Sequence, residues 1–412
     1  MNLLYDIGIA CYRAAVGVAS LKNRKARLML KGQKQTFKRL RGKLDPEGGY
    51  IWMHVSSLGE FEQGRPLIEM IRARDPKAKI VLSFFSPSGY EVRKNYAEVD
   101  AVCYLPFDTV GNAKRFLDIV KPKMAIFVKY EFWGNYLTEL HRRHVPTYLI
   151  SAIFRPGQVF FRPWGSMFRK MIRCFDTLFV QNEQSRRLLG EIGISSVEVC
   201  GDTRFDRVMH VKEQAKHVVT VDRFVENAKM TMVVGSSWEP DEDLAINYFN
   251  THPDLKLILA PHEFDRQRLL SIMSRITRPA GLLSVTPTAK AKTLDCVIVD
   301  SFGLLSSLYR YGQLAMVGGG FGSGIHNINE AAVYGIPVII GPNHSKFREA
   351  TDLIDRGGCF EVNNQEEFNA IMDRLTGDAD FLAASGNAAS DYIQTQLGAT
   401  QFIYDRLFPP VS

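Results

Sequence analysis

Two series of short apolar runs, each run followed by a helical pattern, constrain the fold of this chain more than any other feature. The first series begins at Tyr50 and ends near Val199, and the second begins at Met230 and continues past the run "PVIIGP". Apolar runs that alternate with helices are typical of parallel sheets covered by helices on both faces. The sequence therefore predicts an α/β protein with two consecutive doubly wound, Rossmann-like domains.

The length of the chain and a polar stretch between the two series suggest where the domains divide. A chain of 412 residues with 46% hydrophobic content is long enough for two cores. Residues 203–228 contain no strand-like run. We expect an N-terminal segment at residues 1–45, a first domain at 46–210 and a second domain at 211–412. A ligand cleft is expected between the domains, because ligands of such folds bind beyond the carboxyl ends of the strands.

Composition argues against two classes of protein. The six cysteines form no CxxC pair and follow no regular spacing, so neither a disulfide framework nor a zinc ribbon is indicated, and a reducing cytoplasm fits best. Eleven Lys and Arg residues and no acidic residue lie between Ile7 and Leu44, which leaves a net charge of −4 for the rest of the chain (+7 minus 11). Nucleic acid is therefore not an expected partner, and the charge indicates a single basic arm.

The first twenty residues have the pattern of an amphipathic helix. Asp6, Arg13 and Ser20 are seven residues apart, which lines them up on one side of a helix. The other side is apolar and contains Leu3, Leu4, Ile7, Cys11, Ala14, Ala15 and Val18. Such a helix, followed by a basic segment, is typical of a membrane-interface anchor over residues 1–43. A helix packed on its own domain, with a solvated basic face, remains the alternative.

A glycine-rich turn in the second series suggests an anion site. Gly318, Gly319, Gly320 and Gly322 follow an apolar run, and Asn327 is expected to open a helix beyond them. Free backbone N–H groups and the positive end of a helix would form a cradle for a phosphate. The spacing is neither a dinucleotide fingerprint nor a P-loop. The alternative is that the glycines serve only tight turns. Glu330 suits either a capping box with Asn327 or a ribose contact.

The turn after the first strand raises a similar choice. Ser57-x-x-Glu60 is a capping box, but Gly59 leaves room for a substrate beside the Glu60 carboxylate, so Glu60 is a helix cap, a catalytic base or both. Lys129 and Glu131 end another strand of the first domain, where they form either an ion pair or part of a cleft.

Two further polar residues follow strands of the second domain. His262 and Asp300 would line a nucleotide pocket, although a helix cap suits Asp300 equally well.

Together these turns resemble one family, the 3-deoxy-D-manno-octulosonic acid (Kdo) transferases of lipopolysaccharide synthesis, which are inverting glycosyltransferases of the GT-B fold. The resemblance covers nearly the whole chain, and the matching segments are "HVSSLGE", "KYEFWGN", "GDTRFD", "GSSWEPDED" and "GGGFGSGIHNINEAAVYGIPVIIGP". Lys129 stands where the family usually has a glutamate. The runs "APHE" and "DSFGLLS" also depart from the family pattern.

The resemblance implies a role for each candidate residue. Glu60 would be the catalytic base, and Ser57, Lys129 and Glu131 would line the acceptor side or support the cleft. The donor would be CMP-Kdo, with its phosphate on the glycine loop and its ribose on Glu330. The implied donor-binding set is Ser236, Ser237, His262, Asp300, Gly318, Gly319, Gly320, Gly322, Asn327 and Glu330.

The same resemblance implies the partners. The acceptor would be a lipid A precursor (lipid IVA) at the cytoplasmic face of the inner membrane, and neither a metal nor another cofactor is expected. Two other functions fit the same residues: a GT-B glycosyltransferase or epimerase that uses a UDP-sugar, and a peripheral membrane protein that binds a nucleotide without catalysis. The sequence does not indicate the oligomeric state.

Overall fold

The computed structural model describes residues 3–409 and divides the chain into two compact units. The first unit contains residues 3–207 and 397–409, and the second contains residues 208–396. Each unit is built around one seven-stranded sheet, and all the strand pairings described in the two sheets are parallel. The predicted fold class of two doubly wound α/β domains is confirmed.

The first sheet changes its direction of winding beside its first strand. Its strands are β1 (Tyr50–Val55), β2 (Ile80–Phe84), β3 (Ala101–Tyr104), β4 (Pro122–Val128), β5 (Thr147–Ala152), β6 (Thr177–Val180) and β7 (Val197–Val199). They are hydrogen-bonded in the order β3-β2-β1-β4-β5-β6-β7. The chain therefore winds one way from β1 to β3 and the other way from β4, which makes the β1/β4 boundary the topological switch point where ligands bind in such sheets.

Helices cover both faces of this sheet. They are α1 (Leu3–Ala19), α2 (Arg24–Lys43), α3 (Leu58–Arg74), α4 (Pro87–Arg93), α5 (Val110–Val120), α6 (Gly134–Arg142), α7 (Ser166–Ile172) and α8 (Glu183–Glu191). All the residues of β1 and β2 are buried, as expected for a sheet with helices on both faces. The two polar residues of these strands hydrogen-bond each other, since His54 Nδ1 lies 2.9 Å from Ser83 Oγ.

The second sheet repeats this arrangement. Its strands are β8 (Met230–Ser237), β9 (Leu255–Pro261), β10 (Ala280–Leu282), β11 (Cys296–Ile298), β12 (Leu314–Val317), β13 (Val338–Ile340) and β14 (Cys359–Glu361). Their order is β10-β11-β9-β8-β12-β13-β14, so the switch point lies between β8 and β12. The remaining helices are α9 (Thr203–Glu213), α10 (Val219–Val225), α11 (Glu239–Thr251), α12 (Arg266–Arg275), α13 (Thr288–Ala291), α14 (Leu305–Leu308), α15 (Asn329–Ala332), α16 (Arg348–Asp355), α17 (Gln365–Gly377), α18 (Ala379–Thr395) and α19 (Ala399–Leu407).

The end of the chain belongs to the first unit, whereas the sequence placed it in a second domain of residues 211–412. Ile403 and Leu407 of α19 lie in the hydrophobic cluster of Leu67 and Ile68. Asp206 fixes the start of α19, because its carboxylate accepts hydrogen bonds from the backbone N–H groups of Gly398 and Thr400 at 2.7 and 2.6 Å. The division after Arg207 lies within α9, close to the expected boundary at residue 210.

The basic segment packs on the first unit through α2. The buried residues of α2 are Met29, Gln33, Thr36 and Leu40, which form one stripe of the helix. Both polar members hydrogen-bond to the sheet side: Thr36 Oγ1 donates to the Tyr104 carbonyl at 2.9 Å, and Gln33 Oε1 accepts from the Phe107 N–H at 3.2 Å, while the buried Gln33 Nε2 has no hydrogen-bond partner within the described residues. All eleven basic residues between Ile7 and Leu44 are exposed. Residues 24–43 are thus a docked helix with a solvated basic face rather than a free arm.

The outer side of α1 is apolar. All seven apolar residues predicted to lie opposite the polar stripe are exposed, and Leu3 and Val18 are 73% and 71% exposed. Asp6 points toward the unit and accepts a hydrogen bond from Asn135 Nδ2 at 2.8 Å. Within residues 3–409, no helix combines the length and the apolar character that crossing a bilayer requires. The predicted N-terminal helix is present and amphipathic, but the structure does not support its association with a membrane, which stays a prediction.

Candidate active site

Glu60 lies directly beyond β1, at the switch point of the first unit, and it caps α3. Its Oε2 atom accepts a hydrogen bond from the Ser57 backbone N–H at 3.0 Å and another from the Ser57 hydroxyl. The side chain is half-buried, and Oε1 takes part in none of the hydrogen bonds described within residues 3–409. The cap therefore uses one carboxylate oxygen, and the other is available to accept a proton from a substrate hydroxyl.

Lys129 and Glu131 follow β4 on the other side of the same switch point. Glu131 is only 8% exposed, and its Oε2 accepts from Trp133 Nε1 at 2.7 Å and lies 2.9 Å from His54 Nε2. Lys129 has a left-handed backbone with φ of 68°, which a residue with a side chain adopts only where its surroundings impose it. Glu131 thus supports the turn from within, while the half-buried Lys129 borders it.

In the second unit, Ser236 and Ser237 end β8 at the other switch point. Ser236 also has a left-handed backbone, with φ of 52°. The buried Ser237 hydroxyl donates to Glu242 Oε1 at 3.2 Å, and the fully buried Glu242 accepts from Arg268 and Arg275, each at 2.6 Å. Ser237 therefore anchors the start of α11 to a buried charge cluster. It does not lie open to a ligand.

Three rings stack beyond β8, β9 and β12. His262 stacks on both Trp238 and His326, with ring centroids 4.8 and 4.5 Å apart. Trp238 Nε1 also donates to His326 Nε2 at 3.4 Å, and Trp238 is 39% exposed. Burial, and then the neighbouring His262, lowers the pKa of His326, so its imidazole is neutral at pH 7. Of these three residues the sequence singled out only His262. The others follow strand ends in the quoted turns, but their stacking depends on pairs far apart in the chain.

The glycine loop is not the open cradle that the sequence predicted. The N–H groups of Gly318, Gly322 and Gly324 donate to backbone carbonyls, and that of Gly319 donates to the buried Asp241 Oδ2 at 3.0 Å. The glycines also have steric roles. A Cβ at Gly318 would lie 2.5 Å from the Ser236 carbonyl oxygen, and Gly319 and Gly324 have φ of 95° and 139°. Packing and backbone conformation account for Gly318, Gly319 and Gly324, whose N–H groups all have acceptors in the protein.

Alanine at Gly320 is expected to destabilise the second unit by about 1 to 3 kcal/mol, because overpacking against atoms that cannot move is costly. A Cβ there would lie 2.6 to 2.7 Å from backbone atoms of Gly341. The matched control is Gly322→Ala, whose Cβ would meet nothing nearer than 3.6 Å. Urea unfolding of the two variants checks this prediction, and equal midpoints would contradict it.

Asn327 and Glu330 hydrogen-bond each other, but Asn327 lies one residue before the N-cap position that it would occupy in a regular capping box. Asn327 Nδ2 donates to Glu330 Oε1 at 3.1 Å, and Asn327 Oδ1 accepts from the Asn329 N–H at 3.2 Å. This local turn delays the helix, so α15 begins at Asn329 rather than at Asn327 and lasts only four residues. Such a short helix has little dipole to offer a phosphate. Glu330 lies near Tyr309, whose pKa is raised by burial and then by the Glu330 charge.

Asp300 has a structural role. Its carboxylate accepts hydrogen bonds from the Ser284 N–H at 2.9 Å and from the Ser284 hydroxyl. It follows β11, and β9 separates β11 from β8. Asp300 therefore fixes the turn after β10, and the structure does not bring it to the switch point with His262 and Gly318.

Comparison with known proteins finds similarity to one family. A family model described as "3-Deoxy-D-manno-octulosonic-acid transferase (kdotransferase)" matches residues 22–207. A 3-deoxy-D-manno-octulosonic acid transferase of Aquifex aeolicus (strain VF5) is 29% identical over 338 residues, which cover 80% of this chain and 85% of that protein. These matches support a Kdo transferase. A member of this name from Rickettsia typhi (strain Wilmington) is 26% identical over 332 residues, covering 77% of this chain and 70% of that protein.

The fold is shared more widely than the Kdo transferase family. The crystal structure of UDP-GlcNAc 2-epimerase from Neisseria meningitidis, bound to UDP-GlcNAc, aligns with a TM-score of 0.62 at 14% identity. The alignment covers 87% of this chain and 99% of that chain. At this identity the likeness shows the fold alone, which is the two-domain α/β architecture of the GT-B class.

Proposed function

We propose that this protein transfers Kdo from CMP-Kdo to a hydroxyl of a lipid A precursor in lipopolysaccharide core synthesis, with inversion at the anomeric carbon. The similarity to Kdo transferases over most of the chain supports the transfer of Kdo. One observation carries the site: the half-buried Glu60 carboxylate lies at a switch point with Oε2 engaged in a cap and Oε1 available.

The proposed chemistry is a single displacement. Glu60 accepts the proton of the acceptor hydroxyl while that oxygen attacks the anomeric carbon of Kdo. The new glycosidic bond forms as the bond from this carbon to the CMP phosphate oxygen breaks, and the bonding electron pair leaves with the phosphate. The cap contacts from Ser57 hold the carboxylate in one orientation, which is what a base on a positioned substrate requires.

The donor is assigned to the carboxyl ends of β8, β9 and β12. The rings of His262 and His326 meet there, and an approaching phosphate would favour the protonated form of the His326 imidazole. Glu330 is proposed to accept from the ribose hydroxyls. Protein groups are thus proposed to stabilise the negative charge of the departing phosphate, and the proposal includes no metal ion or other cofactor.

The acceptor is proposed to reach the protein from the cytoplasmic face of the inner membrane. The exposed apolar side of α1 would enter the membrane–water interface. The exposed Lys and Arg side chains between positions 13 and 43 would contact anionic head groups. A lipid A precursor carries phosphates and acyl chains, so both features suit the surface on which it lies. No part of this proposal involves nucleic acid.

The decisive test is transfer of Kdo from CMP-Kdo to tetraacylated lipid A precursor in detergent, followed by mass spectrometry of the lipid. We expect one or more Kdo additions, and calorimetry should show tighter binding of CMP than of UMP. A protein that binds UMP more tightly and adds no Kdo would instead be an enzyme for a UDP-sugar. Binding of CMP without transfer to any lipid A precursor would indicate the non-catalytic alternative.

A further inference from the structure

Two side chains of α1 contact the start of α6, which is more than a hundred residues away in sequence. The Tyr5 hydroxyl accepts a hydrogen bond from the Gly134 backbone N–H at 3.0 Å and donates to Asp108 Oδ2 at 2.5 Å. Asp6 Oδ1 accepts from Asn135 Nδ2 at 2.8 Å. The inner side of α1 is therefore joined to α6 by polar contacts, whereas its outer side is apolar.

These contacts replace a helix cap. The residue before α6 makes no side-chain cap, and the first N–H groups of a helix have no partner within the helix. Tyr5 takes the N–H of Gly134, and the buried Asp108 takes those of Asn135 and Tyr136, each at 2.9 Å. Burial raises the pKa of Asp108 to about 6, so at pH 7 it is a carboxylate that accepts all three hydrogen bonds.

The segment before α6 leads back to the catalytic turn. Residues 129–133 connect β4 to α6, and Trp133 Nε1 donates to Glu131 Oε2 at 2.7 Å. Glu131 in turn lies 2.9 Å from His54 Nε2, and the strand of His54 continues directly into the turn of Glu60. A path of hydrogen bonds thus runs from α1 through α6 and the 129–133 segment to the strand that positions the proposed base.

We propose that α1 positions the active site as well as binding the membrane, and that Tyr5 is the positioning residue. This inference rests on the proposed function. The hydrogen bonds of Tyr5 and Asp6 to the start of α6 order residues 129–135. Turnover therefore depends on α1 even when the acceptor is in solution. A helix that served only as a tether would affect transfer to lipid in a membrane and nothing else.

The test uses an acceptor that needs no membrane, a water-soluble deacylated glucosamine disaccharide phosphate. Tyr5→Phe removes the hydroxyl and leaves the Gly134 N–H and Asp108 Oδ2 without it. We expect kcat for this acceptor to fall by about 10- to 100-fold, since small misplacements in a positioned site have costs of that size. The KM for CMP-Kdo and the affinity for anionic phospholipid vesicles should stay within about twofold of the wild-type values, which corresponds to a small difference in binding free energy. Asp6→Asn, which keeps an oxygen for Asn135, should retain activity that Asp6→Ala loses.

The matched control is Tyr311→Phe in the second unit. The Tyr311 hydroxyl also accepts from a backbone N–H, that of Val218 at 2.9 Å, and donates to an aspartate, Asp222, at 2.8 Å. Its loss should leave kcat unchanged. Equal kcat values for Tyr5→Phe, Tyr311→Phe and the wild type would overturn the proposal.

Hydrogen exchange separates this proposal from the proposed function. The amides of Gly134 and Asn135 should lose protection in Tyr5→Phe and keep it in Tyr311→Phe, whatever the enzyme transfers. If the wild type adds no Kdo, the proposed function fails, and the exchange data still decide whether α1 orders the segment. Unchanged protection in Tyr5→Phe would refute the positioning role.

Discussion

Glu60→Gln is expected to lower the rate of Kdo transfer by about 10²- to 10⁴-fold, the usual contribution of a general base. The amide oxygen still accepts from the Ser57 N–H, now 3.0 Å from Oε2, so the cap of α3 is kept. The free energy of unfolding should therefore change by less than about 1 kcal/mol, since caps as a whole contribute about that much. Single-turnover transfer and urea unfolding of the same preparation measure both quantities.

The control for this variant is Glu62→Gln, the same chemical change two residues further along α3. Glu62 is paired with Arg93 at 2.9 Å, and its side chain is 32% exposed. Transfer by this variant should stay within about twofold of the wild type, as for a surface ion pair of small energetic weight. Retained transfer by Glu60→Gln, or an equal loss in Glu62→Gln, would show that Glu60 is only a helix cap.

Local patterns predicted the parts of the fold and of the site that depend on neighbours in sequence. Apolar runs ending in small or polar residues located strand ends such as Val55 of β1 and Ser237 of β8, because burial on both faces demands such runs. The capping box at Glu60 could also be recognised from the sequence, because its two residues, Ser57 and Glu60, are near neighbours in the chain. The family resemblance then supplied roles that periodicity alone leaves open.

What the sequence could not predict depends on contacts between distant segments. The glycine loop looked open in the sequence because the partners of its N–H groups are not neighbours in the chain. Asp241, which accepts from one of them, lies about 80 residues earlier. Asp206 lies 192 residues before Gly398, whose N–H group it binds at the start of α19, so α19 was assigned to the wrong unit. Of the alternatives for the N-terminal segment, the packed helix with a solvated basic face describes α2; α1 exposes its apolar side, and its role as a membrane anchor stays a prediction.

The second large effect is expected at Glu242, which supports the proposed donor side. Its carboxylate is fully buried and accepts from Arg268 and Arg275, so Glu242→Gln leaves these guanidinium groups only their more exposed partners, Glu239 and Asp243. Removing one partner of a buried pair typically costs about 3 to 5 kcal/mol. The arginines are 18% and 24% exposed, and we therefore expect a loss of about 2 to 4 kcal/mol of unfolding free energy because water takes up part of the charge.

Asp243→Asn is the control, because Asp243 is the next residue and also pairs with Arg275. Its side chain is 53% exposed, so its loss should cost less than about 1 kcal/mol. Glu242 also accepts a hydrogen bond from the hydroxyl of Ser237. Ser237 is the last residue of β8 and lies beside the ring stack. Glu242→Gln should therefore weaken CMP binding in calorimetry at temperatures where the variant is still folded, and Asp243→Asn should not. Equal stability of the two variants would mean that Arg268 and Arg275 find other partners, and intact CMP binding in Glu242→Gln would place the donor away from β8.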